Sequence, residues 1–125
     1  MVEAQKPLIL VVEDEEIVRE VVCMDLEDAG FEVLEACSGD EALNLFQKHA
    51  DGRGAVSLLF TDIRMPGSLD GWDLAEKARG LSPKLGVVYA SGHATAPDRA
   101  VPGSIFLRKP YRTSILLESL KRLQG

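Results

Sequence analysis

Short apolar runs along the chain are separated by longer segments in which apolar residues recur with helical spacing. The apolar runs do not alternate between polar and apolar positions, which is typical of strands buried on both faces of a sheet. We predict five strands, at residues 8–12, 31–36, 55–61, 86–90 and 104–107. One helix is predicted after each strand, which gives five helices in all.

Residues that favour helix ends support this alternation. Gly30 is predicted to end the first helix, and Ser38 with Glu41 forms a capping box that opens the second. Asp70 is the expected N-cap of the third helix, and Thr113 is the expected N-cap of the last. Four apolar residues of the last helix are predicted to face the core: Ile115, Leu116, Leu117 and Leu120.

The segment between the fourth and fifth strands leaves little room for a helix. Residues 93–104 contain Pro97, Pro102 and Gly103, which disfavour a continuous helix. We therefore expect the fourth of the five helices to be short or irregular.

Regular alternation of strands and helices predicts an α/β fold in which helices cover both faces of a parallel sheet. Five strands in this length fit a flavodoxin-like, doubly wound sheet with the strand order 2-1-3-4-5. In such a sheet the ligand site lies at the carboxyl ends of the strands, where the order switches between strands 1 and 3. Candidate chemistry should therefore be sought at that edge.

Composition narrows the class of protein. The 125 residues suit one domain, for which we predict a flexible leader at residues 1–6 and a folded domain at residues 7–125. The net charge of −6 argues against direct nucleic-acid binding. No apolar run approaches the ~18 residues needed to span a membrane. The N-terminus shows no secretory signal, so we expect a cytoplasmic protein without membrane contact.

Polar residues follow four of the five predicted strands. Glu13 and Asp14 follow the first strand, Asp62 the third, Ser91 the fourth and Lys109 the fifth. At one edge of a parallel sheet these side chains would converge. Three carboxylates beside one ammonium group should raise at least one carboxyl pKa unless a cation binds. Hard oxygen ligands of this kind suit Mg²⁺, which we predict as the cofactor.

These residues indicate phosphoryl transfer. The carboxylate of Asp62 can act as a nucleophile and form an acyl phosphate, while Mg²⁺ and Lys109 neutralise charge on the phosphoryl oxygens. The hydroxyl of Ser91 can donate to one of those oxygens. We expect a protein that catalyses only its own phosphorylation and the hydrolysis of its aspartyl phosphate, and is not an enzyme acting on other substrates.

Four short motifs carry a resemblance to a known family. They are LVVEDE at residues 10–15, DIRMPG at 62–67 with DG at 70–71, ASG at 90–92, and KPY at 109–111. Together, in this order, they resemble the receiver domain of response regulators in two-component systems, and the resemblance covers residues 8–123. The resemblance implies that the chain takes part in phosphorelay signal transduction.

The resemblance also implies roles for residues of the predicted site. Asp62 would be the phosphoacceptor, receiving its phosphoryl group from a histidine of a partner protein. Glu13, Asp14 and Asp62 would hold Mg²⁺ together with the backbone carbonyl of Arg64. Lys109 would pair with the phosphoryl group.

A conformational switch is implied as well. Ser91 would move toward the phosphoryl group and Phe106, in the place of the family's switch aromatic, would move into the vacated space. Phe106 has no hydroxyl, so its contribution would come from packing. The Lys109–Pro110 bond is expected to be cis, and His93 either flanks the phosphoryl group or faces solvent.

The implied partner is a histidine kinase or a histidine phosphotransfer protein. A shortened fourth helix resembles receivers attached to hybrid sensor kinases, or stand-alone receivers of that lineage. It places the usual homodimer face in doubt and leaves room for a weak homodimer only. The sequence names neither the kinase nor the output.

Three other functions compete with this interpretation. A flavin- or nucleotide-binding module would need a glycine-rich or hydroxyl-rich loop after the first strand, where this chain has three acids. An aspartyl phosphatase would need an acid two residues after its nucleophile, where this chain has Arg64. The alternative that the motifs leave open is a pseudo-receiver that binds partners without phosphorylation.

Overall fold

The computed structural model describes residues 6–49, 55–92 and 99–124. These residues form five strands and four helices, which alternate along most of the chain. The strands are β1 (Leu8–Val12), β2 (Glu32–Ala36), β3 (Leu58–Asp62), β4 (Gly86–Ser91) and β5 (Ile105–Arg108). The helices are α1 (Glu16–Asp28), α2 (Gly39–Lys48), α3 (Gly71–Leu81) and α4 (Thr113–Gln124).

The five strands form one parallel sheet in the order β2-β1-β3-β4-β5, as predicted. The number of helices was predicted wrongly, because the described residues contain four helices and not five. Most of the segment expected to hold a short fourth helix, residues 93–98, lies outside the described residues. Its described remainder, residues 99–104, contains a short 3₁₀ turn and a bend but no α-helix. The predicted leader, apart from Lys6, also lies outside the description.

Alternate residues of the central strands point to opposite faces of the sheet, and each face carries its own core. On β1, Leu10 and Val12 pack in one buried cluster with residues of α2 and α3, such as Phe46. Ile9 and Val11 pack in the second cluster with residues of α1 and α4. Burial on both faces explains why the strands appear in the sequence as continuous apolar runs.

Local hydrogen bonds explain where the helices begin and end. Gly30 has a φ of +100°, which glycine adopts at little cost. Its N–H donates to the carbonyl of Glu27, and the N–H of Phe31 donates to the carbonyl of Leu26. This is a Schellman motif, and it confirms the predicted end of α1.

The helix starts agree with the sequence only in part. The Ser38 hydroxyl accepts from the N–H of Glu41, but the Glu41 carboxylate accepts from the N–H of Cys37. The predicted reciprocal bond to Ser38 is therefore shifted by one residue. A full capping box instead joins Asp70 and Asp73 at the start of α3.

Several apolar side chains on the outer helices remain exposed. On α1 the exposed fractions are 77% for Ile17, 53% for Val21 and 62% for Met24. Ile115 of α4 is 44% exposed, so its predicted place in the core is wrong. Thr113 is the first helical residue and its hydroxyl donates to Asp25 of α1 at 3.1 Å, so it joins two helices instead of capping one.

Within the described part of the chain, none of the helices combines the length and the apolar character that crossing a bilayer requires.

Candidate functional site

The strand register brings the predicted site residues to one edge of the sheet. Val12 at the end of β1 pairs with Thr61 of β3. The next residues on these neighbouring strands, Glu13 and Asp62, therefore lie side by side. Ser91 ends β4 opposite Arg108 of β5, the residue before Lys109. The topology therefore delivers all the strand-end residues that were predicted to converge.

Lys109 joins two of the three carboxylates. Its ammonium group lies 2.9 Å from Glu13 Oε1 and 3.2 Å from Asp62 Oδ2. Burial alone would lower the pKa of Lys109, but the hydrogen bond to Glu13 and the charge of Asp62 outweigh burial and raise it above its usual value. Lys109 is therefore firmly cationic at neutral pH.

One ammonium group does not balance three carboxylates. Asp14 is exposed, but the limited desolvation of its carboxyl group, together with the adjacent carboxylate of Glu13, raises its pKa above the usual value. The direction agrees with the sequence prediction for a crowded acidic site. Ligand oxygens of Glu13, Asp14 and Asp62 all lie within 4.8 Å of one another, so this group could hold a metal ion.

The turn after β1 is held by more contacts than the sequence suggested. The N–H of Glu13 donates to Ala36 of β2 at 3.1 Å, and the N–H of Glu15 donates to Glu13 Oε2 at 3.2 Å. Arg19 of α1 donates from Nη1 to the backbone carbonyl of Glu13 at 2.8 Å. Sequence reasoning missed Arg19, because nothing in the helical pattern indicates that this side chain turns back toward the strand end.

The environment of Asp62 is equally constrained. Its Oδ1 accepts from the N–H of Ile63 at 2.8 Å, and its backbone carbonyl accepts from the buried Thr61 hydroxyl at 2.7 Å. Gly71, the first residue of α3, lies so close that a Cβ there would sit 2.4 Å from the Asp62 carbonyl oxygen. Sequence reasoning missed this need for glycine, although the DG pair at residues 70–71 was the available signal.

The loop that carries Arg64 is attached to α2. The Asp40 carboxylate accepts from the Ser68 hydroxyl at 2.7 Å and from its N–H at 3.3 Å. The loop borders a shallow pocket of about 290 Å³ whose lining includes most of the predicted site residues. The lining residues are Asp14, Glu15, Asp62, Arg64, Ser91, Gly92 and Lys109.

Comparison with known proteins shows which protein family the chain belongs to. The model of the response regulator receiver domain matches residues 9–121 of the chain. The chain belongs to the response regulator receiver domain family. The resemblance inferred from the four sequence motifs is thereby confirmed.

Individual relatives of this receiver are similar along nearly their whole length. CpdR, a response regulator receiver protein of Brucella abortus, is 31% identical over 92% of this chain and 94% of CpdR. A response regulator receiver protein from Sinorhizobium medicae is 35% identical with a TM-score of 0.87, covering 95% of this chain and 94% of that one. The receiver domain of the hybrid histidine kinase CckA is 39% identical with a TM-score of 0.80, covering 94% and 99%.

Other curated relatives are longer proteins, of which this receiver spans between 10% and 49%. The similarity concerns only a part of each of those proteins. The presence of a hybrid kinase receiver among the similar structures agrees with the lineage that the sequence suggested.

The residues expected to act in a switch lie in the described part of this receiver. Ser91 is 1% exposed at the end of β4, and Phe106 is half-buried beside the core cluster of α2 and α3. Phe106 pairs in register with Tyr89, whose hydroxyl accepts from the N–H of Val101. The Lys109–Pro110 bond is cis, as predicted. His93 lies outside the described residues.

Proposed function

We propose that this receiver accepts a phosphoryl group from a histidine kinase or a histidine phosphotransfer protein onto Asp62. The observation that carries the proposal is the acidic group of Glu13, Asp14 and Asp62, bridged by Lys109 at the carboxyl edge of the sheet. Receiver domains receive phosphate from histidine kinases, and this chain has the acidic pocket that such transfer uses.

The donor set fits Mg²⁺. The candidate ligands are carboxylate oxygens and the backbone carbonyl of Arg64. Hard oxygen donors of this kind suit a small divalent cation. Desolvation first, and then the neighbouring Glu13 carboxylate, raise the pKa of Asp14, and a bound cation would favour its charged form. Glu13, Asp14, Asp62 and Arg64 would hold the ion, which when bound supplies positive charge beside the phosphoryl oxygens.

The chain's own groups account for the transfer. A carboxylate oxygen of Asp62 forms a bond to phosphorus as the bond from phosphorus to the donor imidazole nitrogen breaks, and the histidine keeps that electron pair. The Lys109 ammonium, already 3.2 Å from Asp62 Oδ2, neutralises charge that develops on the phosphoryl group. Ser91, which lines the pocket, donates its hydroxyl to a phosphoryl oxygen. The acyl phosphate is later hydrolysed by water, and no other substrate is turned over.

A partner could reach Asp62 along the surface of α1. A groove of about 540 Å³ lies between α1 and α4, and its apolar wall includes the exposed side chains of Ile17 and Val21. Glu15 and Lys109 line both this groove and the acidic pocket, so the two lie side by side. We propose that an apolar face of a helix of the histidine donor occupies this groove and presents its phosphohistidine to Asp62.

The output would follow from local rearrangement. Phosphorylation adds negative charge beside Ser91, which can then turn its hydroxyl toward the phosphoryl group. Phe106 can change its packing against the core as Ser91 moves. Such a charge event would alter the surface formed by β4 and β5 and the proteins that bind there.

The direct test uses acetyl phosphate as a small phosphodonor. Intact-mass measurement should show the addition of one phosphoryl group in the presence of Mg²⁺ and none in EDTA. The matched control is Asp62→Asn, which has the same shape but should remain unmodified. Mg²⁺ binding without any phosphorylation, even with a cognate kinase, would favour a pseudo-receiver.

A further inference from the structure

We propose that Arg19 is a positioning residue for the acidic site, acting through the backbone of Glu13. The inference rests on the proposed function, because it concerns the affinity of the same pocket for Mg²⁺. It adds a residue of α1 to a site that is otherwise built from strand ends.

The guanidinium group of Arg19 donates hydrogen bonds to two different acceptors. Nη1 donates to the Glu13 carbonyl at 2.8 Å, whereas Nε donates to the carboxylate of Glu35 on β2 at 3.1 Å. The Arg19 side chain is only 16% exposed, although Glu35 is 51% exposed. A mostly buried guanidinium with two hydrogen-bond partners holds its position better than a solvated surface arginine.

The orientation of the Glu13 carbonyl affects the geometry of the acidic site. It belongs to the peptide group that joins Glu13 to Asp14, so its orientation sets the direction in which Asp14 leaves the strand. The N–H of Glu13 is already fixed by Ala36 of β2. With Arg19 fixing the carbonyl, the backbone of the turn is held on both sides of Glu13, and the two carboxylates keep one relative position.

Such support matters because carboxylates that repel one another will separate when they can. The crowding is geometric, because ligand oxygens of Glu13, Asp14 and Asp62 all lie within 4.8 Å of one another. Partners that orient ligands from outside the coordination shell typically contribute about 10- to 100-fold in metal affinity. Without Arg19, the peptide group between Glu13 and Asp14 can rotate in the metal-free protein and carry the Asp14 carboxylate away from the other two, and Mg²⁺ binding must then reverse that movement.

The two hydrogen bonds of Arg19, to Glu13 and to Glu35, can be tested separately by Mg²⁺ titration calorimetry on the purified chain. Arg19→Gln removes the hydrogen bond to the Glu13 carbonyl. Glu35→Gln weakens only the hydrogen bond between residues 19 and 35 and leaves the bond to the Glu13 carbonyl in place. We expect Arg19→Gln to raise the Mg²⁺ dissociation constant about tenfold, within the lower part of the range for orienting partners. Glu35→Gln should change it by less than about threefold, and Arg19→Lys should recover part of the affinity.

A second readout separates positioning from stability. The melting temperature of each variant in EDTA reports the loss of structural contacts, whereas the dissociation constant reports the site. If Arg19→Gln and Glu35→Gln lower the melting temperature but leave Mg²⁺ affinity equal to that of the wild type, Arg19 is structural only. Should Arg19→Gln fail to fold, an unchanged Mg²⁺ affinity in Arg19→Lys overturns the proposal, and a weakened one supports it. Absence of Mg²⁺ binding by the wild type would instead contradict the proposed function itself.

Discussion

Replacing Lys109 with methionine should destabilise the metal-free protein. Lys109 is the ion-pair partner of both Glu13 and Asp62, at 2.9 Å and 3.2 Å. Methionine keeps most of the length and the apolar stem of lysine but removes the ammonium group. The carboxylate of Glu13, in a residue that is 5% exposed, then loses its cation.

The size of the expected loss of stability depends on how deeply the Lys109 ion pairs are buried. Removing one partner of a fully buried ion pair costs about 3–5 kcal/mol. The Lys109 side chain is 27% exposed, so water can partly replace it and the expected cost falls to about 2 kcal/mol. In a domain of this size about 2 kcal/mol corresponds to a fall of roughly 8 °C in melting temperature.

Urea unfolding in EDTA, followed by circular dichroism, measures the loss directly. The second variant, Glu13→Gln in the Lys109→Met background, removes the unpaired charge and should regain much of the stability. Mg²⁺ should also raise the melting temperature of Lys109→Met more than that of the wild type, because it replaces the missing positive charge. A Lys109→Met protein as stable as the wild type in EDTA would refute the reasoning.

Three further predictions concern other parts of the molecule. Burial raises the pKa of the Cys23 thiol to about 11, and Cys37 is exposed, so iodoacetamide at pH 8 should add one group, at Cys37, by peptide mass mapping; modification of folded Cys23 would contradict this. Gly71→Ala should lower the melting temperature by several degrees and slow phosphorylation, because its Cβ would lie 2.4 Å from the Asp62 carbonyl oxygen; an unchanged variant would mean that α3 moves freely. Burial raises the pKa of Tyr111 to about 12. Since an unfolded tyrosine releases its proton near pH ~10, stability should fall as the pH rises above that value, and ultraviolet titration should show ionisation of Tyr111 only well above it.

Sequence predicted the strands and the site because both follow from short-range rules. Continuous apolar runs indicate strands buried on both faces, and parallel topology brings their carboxyl ends together. Glu13, Asp62 and Lys109 could therefore be predicted to meet although they lie far apart in the chain. Each residue needed only its place at a strand end.

Orientation on the helices could not be predicted in the same way. Ile17 and Ile115 have the helical spacing of core residues, but hydrophobicity does not distinguish a core face from a surface that awaits a partner. Arg19 reads as an ordinary charged residue of α1 until the packing of α1 against β2 brings it to the Glu13 carbonyl. These features depend on how elements pack, which local patterns do not determine.

The identity of the nucleophile tests the account most directly. After incubation with acetyl phosphate and Mg²⁺, hydroxylamine should displace phosphate from an acyl phosphate and leave a hydroxamate on the modified carboxyl group. Peptide mass spectrometry should then find that hydroxamate on Asp62 alone, and only in samples that contained both Mg²⁺ and phosphodonor. A phosphoryl group that resists hydroxylamine, or a hydroxamate on Asp14 or Glu13 in place of Asp62, would contradict the account.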